Sequence, residues 1–231
     1  MMNQRWRDLT FLHWAVDPEQ VAHRMPPGVR PDTLNGVTYV GLIPFRMVGA
    51  GIANGPGVPW LGSFLETNVR LYSVDDTGRR GIVFLSLDAD RAAVVLGARA
   101  AFGLPYRFAR MRYRSSGDVH SYDARLRRRG RRTESHIVIR AGEQRSSTDL
   151  DTFLSARWGL HVRWLGRTLY VPNHHEVWPV HDAEVMALED DLVASVGLPD
   201  VANRPPDHVA FSPGVHTVFG FPSDATRPRR S

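Results

Sequence analysis

The chain has 231 residues, 42% of them hydrophobic, and a formal net charge of +5; that length suits one large domain or two small ones. It contains no cysteine, which excludes disulfides, thiol nucleophiles and thiolate metal sites and makes a cytoplasmic protein the simpler expectation. All 29 basic residues are arginine, and nine of them sit in two runs, RLRRRGRR (125–132) and TRPRRS (226–231). Outside those runs acidic residues outnumber basic ones, so the overall basicity is weak evidence for a nucleic-acid partner. No stretch approaches about 18 uncharged apolar residues, and Arg7 and Asp8 interrupt the start before a signal-peptide core forms; neither a membrane partner nor an export signal is expected.

In chain order, Asp17-Pro18 opens a helix over DPEQVAHRM, with an N-cap followed by proline at the first helical position. Strands are predicted at 37–47, 63–74 and 80–89. The loop 48–62 is rich in glycine and proline and reads equally as a functional loop or a surface excursion. Asp90 is the expected N-cap of a second helix, DRAAVVLGARAAF, which stops at Gly103 with Pro105 beyond it. A strand at 105–115 follows. The segments 121–128 and 132–141 form a hairpin around Arg129-Gly130, its tip decorated by arginines. Helices are predicted at 149–158 and 187–197, and strands at 159–166, 168–178 and 208–221. The fold class is α+β, predominantly antiparallel β, closed or half-closed, with a few short helices. One domain spans 1–222, and the basic tail 223–231 is expected to be disordered.

Strand alternation sorts the polar residues by face. In SFLETNVRLY, Phe64, Glu66, Asn68, Arg70 and Tyr72 share one side, either solvent-facing or the wall of a polar cavity. In PYRFARMRYR, Arg107 falls among Ala109, Met111 and Tyr113, and a cation on such a face needs a partner. Two readings stay open: a structural ion pair with Glu66, or a clamp for a carboxylate, enolate or phosphate. The segment NHHEVWPVHD brings His174, His175 and His181 close in sequence. Adjacent strand residues point to opposite faces, so His174 and His175 would not share an ion, and no metal is expected. No nucleotide fingerprint, phosphate-binding turn or nucleophile elbow is present, and no cofactor is expected.

The segments FLHWAVDPEQVAHRMPPGVRPDTLNGVTYVGLIPFRM, FLETNVRLYS, GIVFLSLDADRAAVVLGARAAFGLPYRFARM and HHEVWPVHDAE, in this order, resemble the YqjF-like family of uncharacterised proteins, over about residues 5–220. That family is similar in fold to the acetoacetate decarboxylase superfamily. The resemblance implies a half-open, cone-like β-barrel with an internal pocket for a small molecule, and it admits a homo-oligomer. In the decarboxylases the segment matching GLPYRFARM carries two adjacent lysines, one of which forms a Schiff base. Tyr106 and Arg107 stand there instead. Arginine stays protonated and cannot serve as that amine, and there is no lysine elsewhere, so fold similarity must not be converted into decarboxylase activity. Glu66 matches a pocket glutamate of those enzymes, and Arg7 falls near their N-terminal pocket arginine.

The resulting expectation is a lyase- or isomerase-like enzyme without imine catalysis, acting on a carbonyl or carboxylate compound by enolisation, dehydration, cyclisation or isomerisation. Glu66 would act as acid/base and Arg107 as anion stabiliser, with Arg7, Tyr106, His13, Asn68, His175 and Trp178 contacting the substrate. The alternatives are a non-catalytic small-molecule binding protein and, more remotely, nucleic-acid association through the arginine-rich hairpin.

Overall fold

The computed structural model describes residues 2–52, 62–128 and 130–225. Its elements in chain order are β1 (Met2–Val16), α1 (Pro18–Ala22), β2 (Val29–Pro31), β3 (Thr38–Ile52), β4 (Phe64–Asp75), β5 (Arg80–Ala89), α2 (Ala92–Phe102), β6 (Tyr106–Phe108), β7 (Arg110–Ser116), β8 (Val119–Arg128) and β9 (Arg131–Arg145). Then come α3 (Asp149–Ser155), β10 (Gly159–Trp164), β11 (Arg167–His175), β12 (Val180–Asp190), α4 (Leu192–Ser195), a 3-10 turn (Val201–Asn203), β13 (His208–Phe219) and β14 (Ser223–Asp224).

The strands form one mostly antiparallel sheet, ordered β14-β11-β10-β5-β4-β3-β1-β13-β12-β9-β8-β7. Its parallel pairings are β10 with β5 and β5 with β6. The sheet curls until β11 also meets β13, through Asn173↔Phe219, His174↔Val218 and His175↔Thr217. That return gives the sheet an inner face, where Leu9, Phe11, Phe45, Phe64, Leu87 and Trp178 pack together. On the outer face, Leu12, Trp14, Val69 and Leu71 pack against Tyr122, Ala124, Ile137 and Ile139 of β8 and β9. Both faces of β4 are therefore buried, and its alternation separates two cores rather than core from solvent.

Several local expectations were changed by pairing. No strand was expected before Asp17, yet β1 runs beside both β3 and β13. Asp8 adopts a left-handed φ of 50°, and the β1–β3 register shifts between Arg7 and Leu12. Gln4 and Trp6 face inward before that bulge, and Leu9 and Phe11 after it. The bulge requires glycine opposite it, because a Cβ on Gly214 (φ 122°) would lie 1.9 Å from the Trp6 carbonyl oxygen.

The predicted helix at 187–197 is split: its first four residues are strand and only Leu192–Ser195 is helix. Residues through Asp190 pair with β9, leaving α4 four residues long. The predicted strand 105–115 breaks at Ala109 into β6 and β7. Asp90 does not cap α2; Arg91 holds the N-cap position without a side-chain cap, and the Asp90 carboxylate accepts the Leu65 N–H instead. Asp17 caps α1 as expected, and α3 starts with a capping box between Thr148 and Asp151. The helix stop at Gly103 holds, with φ 63° and Trp164 packed too closely for a Cβ.

The β8–β9 hairpin pairs Arg128 with Arg131, and Arg125 and Arg132 both reach Glu134; Arg129 lies outside the described residues. Most of the 48–62 loop, residues 53–61, lies outside them too. Ser223–Asp224 pairs with β11, and Ala225 is buried.

Candidate active site

A cavity of about 240 Å³ opens on the inner face, between β1, β4, β5, β10, β11 and β13. It lies near the small end of the range for ligand pockets, roughly 300–1,000 Å³. Trp6, Phe84, Leu87, Leu104 and Phe219 form much of its wall, and Phe221, exposed to solvent, stands at its edge. Gln4, Glu66 and Tyr106 supply the polar side chains.

Glu66 and Tyr106 reach the cavity from different strands. Glu66 sits on β4 opposite Ala89 of β5, while β6 pairs in parallel with β5, setting Tyr106 beside Leu87. The Tyr106 hydroxyl donates to Glu66 Oε2 at 2.9 Å. Glu66 is 3% exposed. Burial in apolar surroundings pushes its carboxyl up to about 8; hydrogen bonds from Tyr106 and Asn68 offset part of that rise, and the Asp88 charge adds to it. Glu66 makes no ion pair among the described residues, so no counter-charge compensates its ionised form.

Asn68 stands behind Glu66, buried, its Oδ1 without a donor among the described residues. Trp178 is also one layer back: its ring stacks on Trp6 at 5.8 Å and meets Phe11 edge-on. His175 packs between Trp158 and Trp178 and donates from Nδ1 to the Glu176 carbonyl. His174 is exposed on the opposite face.

His13 belongs to a different network. Its Nε2 meets the Tyr72 hydroxyl at 2.6 Å and its Nδ1 meets His208 Nδ1 at 3.0 Å. His208 Nε2 reaches Asp151 Oδ1 at 2.8 Å, and Arg145 holds Asp151. A single assignment satisfies every contact: Arg70 donates to Tyr72, Tyr72 to His13, His13 to His208, and His208 to Asp151. Both rings are then neutral, in keeping with burial pushing each imidazole below its usual range.

Two arginines stand elsewhere than the sequence suggested. Arg7 is exposed, because alternation before the Asp8 bulge turns Trp6 inward and its neighbour out. Arg107 pairs neither with Glu66 nor with open space. Its Nε and Nη2 donate to the two Asp88 oxygens at 2.5 and 2.6 Å, and its remaining donors reach Ser86 and Ser195. The physical reason is register: Tyr106 aligns with Leu87 and Arg107 with Asp88, so adjacent residues face opposite sides of the sheet. Gln4, Trp6 and Phe84 were missed at the sequence level; alternation along 2–7 and 80–89 carried the signal.

Solved structures define the fold class as that of acetoacetate decarboxylase. The Legionella pneumophila acetoacetate decarboxylase superposes with a TM-score of 0.62 at 15% identity, over 93% of this chain and 84% of that one. The enduracididine biosynthesis enzyme MppR, complexed with pyruvate, gives 0.62 at 15% identity, over 98% and 91%. At those identities the likeness is one of fold. By sequence, the protein belongs to DUF2071, a family of uncharacterized conserved proteins, whose model matches residues 3–216. It is 33% identical over 187 residues to the uncharacterized protein YqjF of Bacillus subtilis (strain 168), covering 80% of this chain and 76% of that protein.

Proposed function

We propose that the protein is a small-molecule enzyme in which Glu66 moves protons on a carbonyl compound held in the inner cavity. The observation that carries this reading is a buried carboxyl at the wall of an apolar cavity, in contact with Tyr106 and with no cation beside it among the described residues. A carboxyl pushed up to about 8 is mostly protonated at neutral pH, yet within reach of its conjugate base, the condition for general acid and base action by one group.

Enolisation is the simplest reaction these groups support. The Glu66 proton passes to the carbonyl oxygen; the carboxylate left behind accepts a proton from the adjacent carbon; the product is the enol, and Glu66 ends protonated as it began. Tyr106 and Asn68 stabilise the transient carboxylate by donating to it. The 231 residues include no lysine, so the chain offers no side-chain amine for an imine route. Arg107, bound by Asp88 on the other face, takes no part.

The test is exchange of α-hydrogens for deuterium in 4-phenyl-2-butanone, followed by NMR in D2O. Wild type should accelerate exchange, and Glu66→Gln, which keeps shape but cannot cycle a proton, should lose about 10²–10⁴-fold. Equal rates in the two proteins would remove Glu66 from the chemistry. The predominance of apolar wall favours a second reading, a carrier that binds without turnover; it requires a stable complex and no exchange.

A further inference from the structure

We infer that the cavity selects uncharged, largely apolar carbonyl compounds and rejects keto acids; this rests on the placement of the ligand beside Glu66 proposed above. The described wall lacks a counter-charge for an anion. Among the described lining residues there is no arginine and no histidine.

Among the described residues, the nearby cations are committed elsewhere. Arg107 is bound by Asp88, Ser86 and Ser195 on the outer face. Arg70, on the same strand as Glu66, donates to the Tyr72 hydroxyl at 3.1 Å and the Leu154 carbonyl at 3.3 Å. Arg7 is exposed to solvent.

A carboxylate entering this cavity would leave water without gaining a counter-charge, and such transfers are strongly unfavourable. It would also approach another carboxyl group, since Glu66 is the acid in the wall. A neutral carbonyl oxygen meets neither penalty. It is an acceptor, and the wall offers donors: the protonated Glu66 carboxyl and the Gln4 amide. The rest of the ligand meets the rings of Trp6, Phe84 and Phe219 and the aliphatic side chains between them. The volume of about 240 Å³ favours a compact skeleton. The structural neighbours named for acetoacetate and complexed with pyruvate handle short keto acids; the present wall points to a different substrate class on the same fold.

The test uses three ligands of one skeleton and different charge: 4-phenyl-2-butanone, 2-oxo-4-phenylbutanoate and 4-phenylbutan-2-amine. Binding to wild type is measured at pH 7 by calorimetry and thermal shift. The ketone should bind at least about a hundredfold more tightly than the keto acid, given the cost of burying an unpaired anion. A keto acid that binds equally or better, an amine that binds best by pairing with an ionised Glu66, or no ketone binding up to its solubility would each overturn the inference.

Leu104→Arg, which places a guanidinium in the wall, should narrow or reverse the preference if it folds; the wild-type comparison stands without it. Failure here is separable from failure of the catalytic reading. A keto acid preferred by wild type but processed only with Glu66 intact would sink the substrate class alone, whereas selective ketone binding without Glu66-dependent exchange would sink the chemistry alone.

Discussion

Glu66 and Asp88 are both buried carboxyls on adjacent antiparallel strands, little more than one register step apart. Asp88 faces the outer side, where a bidentate arginine and Ser86 fill its hydrogen-bonding capacity. Glu66 faces the inner side, where a phenol and an amide are its partners and the rest of its surroundings is apolar. The two arrangements follow from one pairing, since β6 delivers Tyr106 to one and Arg107 to the other. A buried carboxyl that is fully paired holds strands together. One left without a counter-charge beside a cavity loses stability as an ion and gains a tunable proton. Arg107 thus serves the structural side of this contrast.

The largest effect that would sharpen the contrast is the pH dependence of stability. Between its unfolded value of 4.5 and its folded value of about 8, Glu66 is protonated in the folded protein and ionised in the unfolded chain. The folded state binds more protons there, so the Glu66 contribution to stability is fully present below pH 4.5 and is lost as pH rises through 8. The loss is about 1.4 kcal/mol per pH unit, or about 5 kcal/mol in all. Glu66→Gln should abolish this component, and denaturant unfolding from pH 5 to 9 measures it. Parallel profiles for the two proteins would mean that Glu66 is no more than ordinarily acidic.

Next in size is Arg107→Ala, which strands Asp88 as a buried unpaired charge and should cost about 3–5 kcal/mol. Adding Asp88→Asn should recover part of that loss, while ketone affinity stays unchanged throughout. A loss of ketone affinity in a still-folded Arg107→Ala protein would return the arginine to the site.

The histidine chain gives a smaller, oppositely signed limb. His13 and His208 are held below 6.5 by burial, so the unfolded chain takes protons that the folded state resists, and stability falls as pH drops below 6.5. Each ring contributes up to about 1.4 kcal/mol per pH unit. In the Glu66→Gln background this limb adds to those of His120, His161 and His175, also lowered by burial, and is opposed by Asp190, pushed up to about 6. The part that disappears on adding His208→Gln belongs to the chain, and an unchanged acid profile on that substitution would contradict the neutral donor chain from Arg70 to Asp151.

How much of this was legible in the sequence depends on whether the signal was local. Alternation along SFLETNVRLY put Glu66 and Asn68 on a common face, and β4 keeps it, though that face is cavity and core rather than solvent. Strand β1 escaped notice because Arg5, Arg7 and Asp8 interrupt its apolar pattern; only pairing on both sides explains why those residues lie in a strand. The stretch through Asp190 reads as a helix by composition, and its pairing with β9 overrides that propensity. The partner of Arg107 was out of reach for a similar reason. Asp88 and Arg107 meet through a parallel pairing across α2, and no spacing rule within either segment announces it. His13 and His208 are 195 residues apart, so their contact is a property of the β1–β13 register alone.

The smallest predicted effect probes the Glu66 side at a single hydrogen bond. Tyr106 donates to Glu66 and so favours its ionised form. Tyr106→Phe removes that donor while retaining the ring against Leu87. The Glu66 carboxyl should then become harder to ionise, by about one pH unit, equivalent to about 1.4 kcal/mol. The limb of the deuterium-exchange profile that reports Glu66 ionisation should move to higher pH by that amount. A merely structural tyrosine would lower the melting temperature and leave the limb in place; a shift to lower pH would mean that the hydroxyl serves the protonated acid, reversing the direction of the hydrogen bond on which the proposed stabilisation of the carboxylate depends.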